Sequence, residues 1–197
     1  MQQHAEAIFR EHGGQLRMSE AIGHGITPYT LYTLRDRGVI KLISRGVYRL
    51  TELPPLSTPD LVTVSLRYPN AVVCLISALA YHAITTQIPH EVSVAVPRNS
   101  RLPSLDHPPV RAHRFSTGSY QTGIEIHEID GAAVRIYDRE KTLADCFKFR
   151  NRVGMDVVLE ALRLHRERNR LDVAALLGYA RVCRVEKVMH PYLEASL

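Results

Sequence analysis

The spacing of apolar and polar residues predicts three short helices at the start of the chain. Residues 3–12, "QHAEAIFREH", place apolar side chains on one helical face and are followed by two glycines, which end the helix. Residues 18–22, "MSEAI", give a further helical turn. A third helix is predicted for residues 27–37, because Thr27 is a good N-cap for a helix with a proline in its first turn, and Gly38 suits its C-terminal end.

After Gly38 the pattern changes from helical spacing to alternation. Residues 39–50, "VIKLISRGVYRL", contain two alternating runs separated by Ser44-Arg45-Gly46, which indicates a β-hairpin with a glycine in its turn. Three small helices followed by a hairpin is the order of elements in a winged helix-turn-helix. We therefore predict such a domain for residues 1–52.

A second domain is predicted to follow a proline-rich linker. The linker is "TELPPLSTP", residues 51–59, and the second domain is assigned to residues 57–197. Within it, the strand patterns fall in residues 71–137 and helical patterns fill residues 139–197. The predicted fold class is therefore α+β, with an N-terminal winged helix-turn-helix domain and a mixed α/β C-terminal domain that ends in a helical bundle.

Several elements of the second domain can be predicted individually. Residues 71–76 are a candidate buried strand, and residues 77–84 are a candidate helix with Ser77 as its N-cap. The pair Asp130-Gly131 separates two alternating runs, which indicates a hairpin. Further strands are expected at residues 91–97 and 110–116.

The composition is that of a globular protein with a basic surface. Hydrophobic residues make up 45% of the 197 residues and charged residues 23%, and the formal net charge is +5. Residues 27–50 contain five lysines or arginines and a single acidic residue, Asp36. This concentration of positive charge favours an acidic partner such as nucleic acid, although charge alone does not identify one.

The cysteines and the apolar runs indicate the cellular compartment. The three cysteines, Cys74, Cys146 and Cys183, are far apart in the sequence and lie among apolar residues, so we expect buried, reduced thiols. The N-terminal residues are too polar for a signal peptide, and no apolar run reaches the ~20 residues of a membrane span. We therefore expect a cytoplasmic protein with no membrane partner.

The third helix and the hairpin carry the candidate functional residues. Leu31 and Leu34 share one helical face, which would anchor the helix and leave its polar residues facing outward. Such an outward face can read DNA bases, and cations on the hairpin can contact phosphates. A surface helix with ordinary solubilising charges is the alternative. The candidate DNA-binding residues are Tyr29, Thr30, Thr33, Arg35 and Arg37 on the helix, and Lys41, Arg45 and Arg49 on the hairpin.

The sequence offers few candidate catalytic groups. None of the ten histidines has the spacing of a metal-binding helix pair, and we expect His82 to be a packed or capping residue. Glu128 and Asp130 could hold Mg²⁺. The presence of Asp130 is better explained by the predicted Asp130-Gly131 hairpin turn. Asp138, Glu140 and Lys141 could belong to a nuclease, but Asp138 is better explained as the N-cap of a helix with Lys141 at its third position. We predict no enzymatic activity, no metal and no cofactor.

The segment "LYTLRDRGVIKLISRGVYRL", which ends in the predicted wing, is the most specific of four segments that carry a family resemblance. It resembles the AbiEi-type antitoxins of type IV (abortive infection) toxin–antitoxin systems. The others are "VCLISALAYHAITTQIP", "VSVAVPRNSRLP" and "VRIYDREKTLADCFKFRNRVGMDVVLEALR". Together they cover most of the chain in the family's order.

The resemblance implies a DNA-binding antitoxin with two domains. The N-terminal domain would bind double-stranded operator DNA and repress its own operon, and the C-terminal domain would counteract a cognate nucleotidyltransferase-like toxin. The resemblance carries no motif for the antitoxic residues of the C-terminal domain, and direct contact with the toxin is left open. The family's DNA-contact positions correspond to Tyr29, Thr30, Thr33, Arg35, Arg37, Lys41 and Arg45.

Two other functions remain as alternatives. The chain could be a stand-alone transcriptional regulator whose C-terminal domain binds a small ligand. Alternatively, the winged helix could deliver a catalytic C-terminal domain to nucleic acid, in which case the chain would be a nucleic-acid-processing enzyme.

Overall fold

The structure, a computed structural model, describes residues 2–168 and 171–194. Two units are separated by their internal contacts: the first contains the chain up to Pro69 together with His127–Val134, and the second contains Asn70–Ile126 and the chain from Arg135 onward. Met1 and residues 169–170 and 195–197, which fall within the predicted domains, lie outside the described residues.

The first unit has the order of elements expected for a winged helix-turn-helix. A three-stranded antiparallel sheet with the strand order β1-β3-β2 accompanies the helices. One apolar core joins the first three helices to this sheet. The elements are α1 (Gln2–Glu11), β1 (Gln15–Arg17), α2 (Met18–Gly23), α3 (Pro28–Asp36), β2 (Ile40–Ser44), β3 (Val47–Leu50) and α4 (Pro59–Arg67).

Helix α3 forms where its sequence signals predict it. The Thr27 hydroxyl accepts a hydrogen bond from the Thr30 backbone N–H at 3.2 Å, as an N-cap does. Gly38 has a φ of 74°, a conformation that glycine adopts without strain, and it follows the helix end. Leu31 and Leu34 are fully buried, so one face of α3 is fixed to the core and the opposite face is left to solvent.

Strand β1 is an element that the sequence pattern did not predict. Its residues Gln15–Arg17 pair with β3, and β3 is therefore the central strand of the small sheet. All residues of β3 are buried, because both of its edges are paired and both of its faces are covered. The alternation of β3 therefore does not correspond to one buried face and one exposed face.

The first unit extends beyond residue 52, where the sequence pattern predicted its end. It includes α4 and the turn at Asp130-Gly131. The Asp130 carboxylate accepts hydrogen bonds from the Ser57 N–H at 2.8 Å and from the Ser57 hydroxyl at 2.9 Å. The backbones of Gly13 and Gly131 approach so closely that a Cβ on Gly13 would lie 2.4 Å from the Gly131 carbonyl oxygen.

The second unit contains a five-stranded sheet with the strand order β6-β5-β4-β8-β7. Strand β4 pairs antiparallel to β5 and parallel to β8, and β5 pairs parallel to β6. Residues 127–134, which are the end of β7, the turn and the start of β8, belong to the first unit. The elements up to β8 are β4 (Val72–Val73), α5 (Leu75–Tyr81), β5 (Val92–Pro97), β6 (Val110–Phe115), α6 (Thr117–Gln121), β7 (Ile124–Ile129) and β8 (Ala132–Tyr137).

Helix α5 begins earlier than the sequence pattern predicted. Cys74 occupies its N-cap position, and Ser77 lies within the helix instead of capping it. The Ser77 hydroxyl accepts a hydrogen bond from the Ser93 N–H at 2.9 Å and donates one to the Glu91 carbonyl oxygen at 3.2 Å. Ser77 therefore ties α5 to the start of β5, a role that depends on tertiary contacts.

The C-terminal helices pack around α7. Helix α7 contacts α5, α9 and α10, and α11 contacts α10. Asp138 is the N-cap of α7, as predicted, and accepts a hydrogen bond from the Lys141 N–H at 2.6 Å. The helices are α7 (Arg139–Lys148), α8 (Arg150–Val153), α9 (Met155–Arg168), α10 (Val173–Cys183) and α11 (Glu186–Glu194).

The core of the second unit contains an ion pair and free thiols. The Lys141 ammonium lies 2.5 Å from the Asp145 carboxylate, and both side chains are fully buried. All three cysteines are buried and free, as predicted. In the described ranges, no helix is long and apolar enough to cross a membrane.

Candidate nucleic-acid interface

Helix α3 presents an exposed polar face opposite its leucine anchors. Tyr29, at the start of the helix, is 80% exposed, and its ring is therefore available to a partner. The Thr33 hydroxyl donates a hydrogen bond to the Tyr29 carbonyl oxygen at 2.9 Å, and the hydroxyls of Thr30 and Thr27 lie 2.9 Å apart. The two threonine hydroxyls thus have local partners, which a DNA contact would have to share or replace.

The arginines at the end of α3 differ in their surroundings. Arg35 donates two hydrogen bonds to the Asp36 carboxylate, at 3.0 Å and 2.8 Å, and its guanidinium lies 5.3 Å from the centre of the Tyr32 ring. The hydrogen bond to Asp36 raises the pKa of Arg35 above its ordinary value. Arg37 is exposed. Asp36 would therefore compete with a phosphate for Arg35.

The hairpin of β2 and β3, which we call the wing, carries exposed cations. Lys41 on β2 and Arg45 at the tip are both exposed. Gly46 follows Arg45 with a φ of 72°, which produces the tight turn that projects the tip. Within the described ranges, no carboxylate forms an ion pair with Lys41 or Arg45. Both cations are therefore available to an anionic partner.

Arg49, which was predicted with the other wing cations, does not belong to this exposed set. Its side chain is 3% exposed and donates hydrogen bonds to the Gln15 side-chain oxygen at 3.0 Å and the Pro54 carbonyl oxygen at 2.9 Å. The Asp130 carbonyl oxygen lies 3.5 Å from the same guanidinium. Burial lowers the pKa of Arg49 from its ordinary value. Arg49 therefore connects β3 to β1 and to the segment after the wing, and it is not exposed as the other wing cations are.

Sequence reasoning did not select two further cations near the wing. Arg17 at the end of β1 and Arg67 at the end of α4 line the same groove as Arg45. Arg17 forms a salt bridge with Glu20, whose pKa is lowered by this hydrogen bond although burial opposes the shift. Arg67 lies beyond the predicted domain boundary, so no sequence pattern associated it with the wing.

Three of the residues considered for catalysis, His82, Asp130 and Asp138, form hydrogen bonds within the fold. His82 is buried, and its Nε2 lies 2.7 Å from the Tyr137 carbonyl oxygen. Asp138 caps α7 and accepts a hydrogen bond from the Tyr179 hydroxyl at 2.6 Å. Glu128 is exposed, and Asp130 binds Ser57. Among the described residues, no group of three histidine, cysteine or acidic side chains could hold a metal ion.

The first unit is a winged helix-turn-helix. This follows from the order of its elements, the topology of its sheet and the exposed face of α3. Residues 5–51 match a family model described as "Transcriptional regulator, AbiEi antitoxin". The match covers about a quarter of the chain and falls within the first unit. The resemblance to AbiEi-type antitoxins is therefore confirmed for this segment.

The fold as a whole is similar to a solved structure. The crystal structure of the RV2827C protein from Mycobacterium tuberculosis aligns with 96% of this chain and 79% of its own chain, at a TM-score of 0.52 and 12% sequence identity. At this identity the similarity extends to the fold alone. No curated protein sequence matches the chain.

Proposed function

We propose that this protein is a DNA-binding antitoxin of a type IV toxin–antitoxin system that represses its own operon. The observation that carries the proposal is the family match over residues 5–51, which spans α3 and the wing. The exposed polar face of α3 and the unpaired cations of the wing support it, because both are needed to bind DNA.

In the proposed complex, α3 enters the major groove and the wing contacts the neighbouring backbone. Tyr29 and Thr33 then face base edges, while Arg45 and Lys41 neutralise phosphates. Arg35 and Arg37 lie at the end of α3 and contact bases or backbone, and Thr30 lies at its start. Arg49 takes no part, because it is buried.

The toxin is the second proposed partner. The family description includes antitoxin activity, and we infer that a cognate nucleotidyltransferase-like toxin is counteracted through the second unit. Expression of the neighbouring toxin gene with and without this chain tests this part. Failure of the full-length chain to restore growth would contradict it.

A gel-shift titration with the upstream region of the gene tests DNA binding. We expect affinity to fall steeply as salt rises, because phosphate contacts release counterions. Arg45→Ala should weaken binding to all sequences alike and reduce the salt slope by about one. Tyr29→Ala and Thr33→Ala should instead change the preference between operator and unrelated DNA.

Arg114→Ala is the matched control, since Arg114 is an exposed arginine on β6 in the second unit. It should bind the operator like the unaltered protein. Absence of any complex at low salt would overturn the proposal, as would an equal loss of affinity in Arg114→Ala and Arg45→Ala. A reporter driven by the same promoter would then test repression in cells.

A further inference from the structure

A groove in the first unit lies between α2, the wing and the end of α4. We call it the wing groove, and its volume is about 830 Å³. Ligand-binding pockets commonly measure about 300–1,000 Å³. The wing groove is therefore large enough for several side chains of a partner.

The floor of the wing groove contains apolar side chains that solvent reaches. Ile22 on α2 is 47% exposed, Leu42 on the wing is 50% exposed, and Tyr32 on α3 is 43% exposed. Single exposed apolar residues are common, but three around one groove form a patch whose burial by a partner would be favourable.

The charged residues of the wing groove are all arginines. Arg17, Arg45 and Arg67 line it, and no lysine or acidic residue does. Glu20 neutralises Arg17. Arg67 lies 5.9 Å from the centre of the Tyr68 ring, and no ion pair in the described ranges involves Arg67 or Arg45. The groove therefore has two unneutralised positive charges beside its apolar floor.

This composition fits a protein partner better than a DNA backbone. Tyrosine, methionine and arginine are enriched at the centres of protein interfaces, and the groove is lined by two tyrosines, a methionine and three arginines. A DNA backbone would satisfy the arginines, but it would cover Ile22 and Leu42 with charged phosphates and leave the apolar floor without a partner.

We propose that the wing groove binds a segment of a partner protein in which apolar side chains are flanked by carboxylates. The apolar side chains cover Ile22 and Leu42, and the carboxylates pair with Arg45 and Arg67. This inference goes beyond DNA binding and does not require it. If the proposed function also holds, the segment and DNA compete for Arg45, so the partner releases the operator.

The test uses a defined peptide and the full-length protein. A fluorescein-labelled 14-residue peptide has leucines at helical spacing and glutamates at the other positions, and a matched peptide has glutamine in place of every glutamate. Fluorescence anisotropy should show saturable binding of the acidic peptide and about tenfold weaker binding of the glutamine peptide. No binding of the acidic peptide, or equal binding of both, would overturn the proposal.

Two substitutions locate the site. Ile22→Ser and Arg67→Gln should each lower the affinity for the acidic peptide about tenfold. Arg114→Gln, an exposed arginine outside the groove, should not. Thermal unfolding of each variant shows whether it is folded. Unchanged peptide affinity in folded Ile22→Ser and Arg67→Gln would contradict the proposal.

The same variants separate this inference from the proposed function. Ile22→Ser changes no residue assigned to DNA, so it should lose the peptide and keep the operator. Suppose that neither the wild-type protein nor any variant binds DNA, but the acidic peptide binds as described. In that case the proposed function fails and the assignment of the wing groove stands. If Ile22→Ser loses DNA but not peptide, the groove is a nucleic-acid surface.

Discussion

Arg45 and Arg49 both belong to the wing, but only Arg45 reaches solvent. Alternation along β3 suggested that Arg49 would face outward, as a residue between Tyr48 and Leu50 does when one face of a strand is exposed. The structure covers this face with Pro54 and Asp130, and Arg49 donates its hydrogen bonds there. The sequence could not predict this, because Asp130 lies far along the chain.

Removal of the Arg49 side chain should therefore affect stability. We expect Arg49→Ala to lower the free energy of unfolding by about 2 kcal/mol, because buried acceptors lose their charged donor. Urea unfolding of the full-length protein measures this. Arg45→Ala is the control and should remain within about 0.5 kcal/mol of wild type. Unchanged stability of Arg49→Ala would show that its hydrogen bonds contribute little.

His113 is a second polar residue whose position the sequence did not indicate. It is buried on β6, and neither ring nitrogen has a hydrogen-bond partner among the described residues. Its ring packs against Phe149 with 5.4 Å between the ring centres. Burial, together with the charges of Arg152 and Arg111, lowers the pKa of His113 to about 4. His113 is therefore neutral in the folded protein at neutral pH.

The low pKa of His113 predicts a loss of stability in acid. Between the ordinary histidine pKa of 6.5 and the folded-state pKa of about 4, the unfolded chain binds a proton at His113 and the folded chain does not, so stability falls as the pH decreases. His113→Leu removes this contribution, worth on the order of 3 kcal/mol near pH 4. Urea unfolding of both proteins between pH 7 and pH 4 measures it. Parallel pH profiles would contradict the prediction.

At the level of elements, the sequence predicted those with strong periodicity or capping signals. Helix α3 has Thr27 and Gly38, α7 has Asp138, and the wing has a glycine turn. Strand β1 was not predicted, because three residues are too few to show a period, and its position depends on pairing with β3. Ser77 was predicted to be an N-cap, but it lies inside α5. The prediction was wrong because a serine hydroxyl can either cap a helix or form tertiary hydrogen bonds, and the sequence does not distinguish the two.

Two glycines with similar backbone angles provide a test of element packing. Gly13 and Gly38 have φ values of 68° and 74°. A Cβ on Gly38 would meet open space, whereas one on Gly13 would clash with the backbone of Gly131. We expect Gly38→Ala to lower the free energy of unfolding by about 1 kcal/mol, from backbone strain alone. Gly13→Ala should lower it by roughly 3 kcal/mol, because the clash adds to the strain.

Thermal unfolding of these two variants measures the difference. Equal losses of stability in Gly13→Ala and Gly38→Ala would mean that the backbone at Gly131 moves away from the added Cβ at little cost. Gly23→Ala, at the end of α2 with open space around it, should be neutral or stabilising by up to about 1 kcal/mol, because its backbone has no positive φ and alanine favours a helix.

At the level of the whole molecule, the first unit is discontinuous in the sequence. It takes α1 to α4 from the start of the chain and adds residues 127–134, which are the end of β7, the turn and the start of β8. The sequence predicted a boundary near residue 52, because the proline-rich linker follows a completed hairpin. It correctly predicted the turn at Asp130-Gly131 but could not predict its packing, since a turn of this kind is complete without any tertiary partner.

A fragment of residues 1–69 should therefore be less stable than the same unit in the full chain. It lacks Asp130, which accepts hydrogen bonds from Ser57 and Gln15. Hydrogen exchange should show faster exchange for the β3 amides in the fragment than in the full-length protein. Equal protection of these amides in both would show that residues 127–134 are dispensable for the unit.

The discontinuity of the first unit limits how this protein can be recombined. A crossover in the linker after residue 52, or after Pro69, would transfer α3 and the wing without the turn that packs against Gly13. A first unit acquired in this way from another protein would have to pack against a turn supplied by the recipient chain. Gene fusion and domain exchange should therefore keep residues 1–69 and 127–134 together, and engineered chimeras should be joined at positions that transfer both segments.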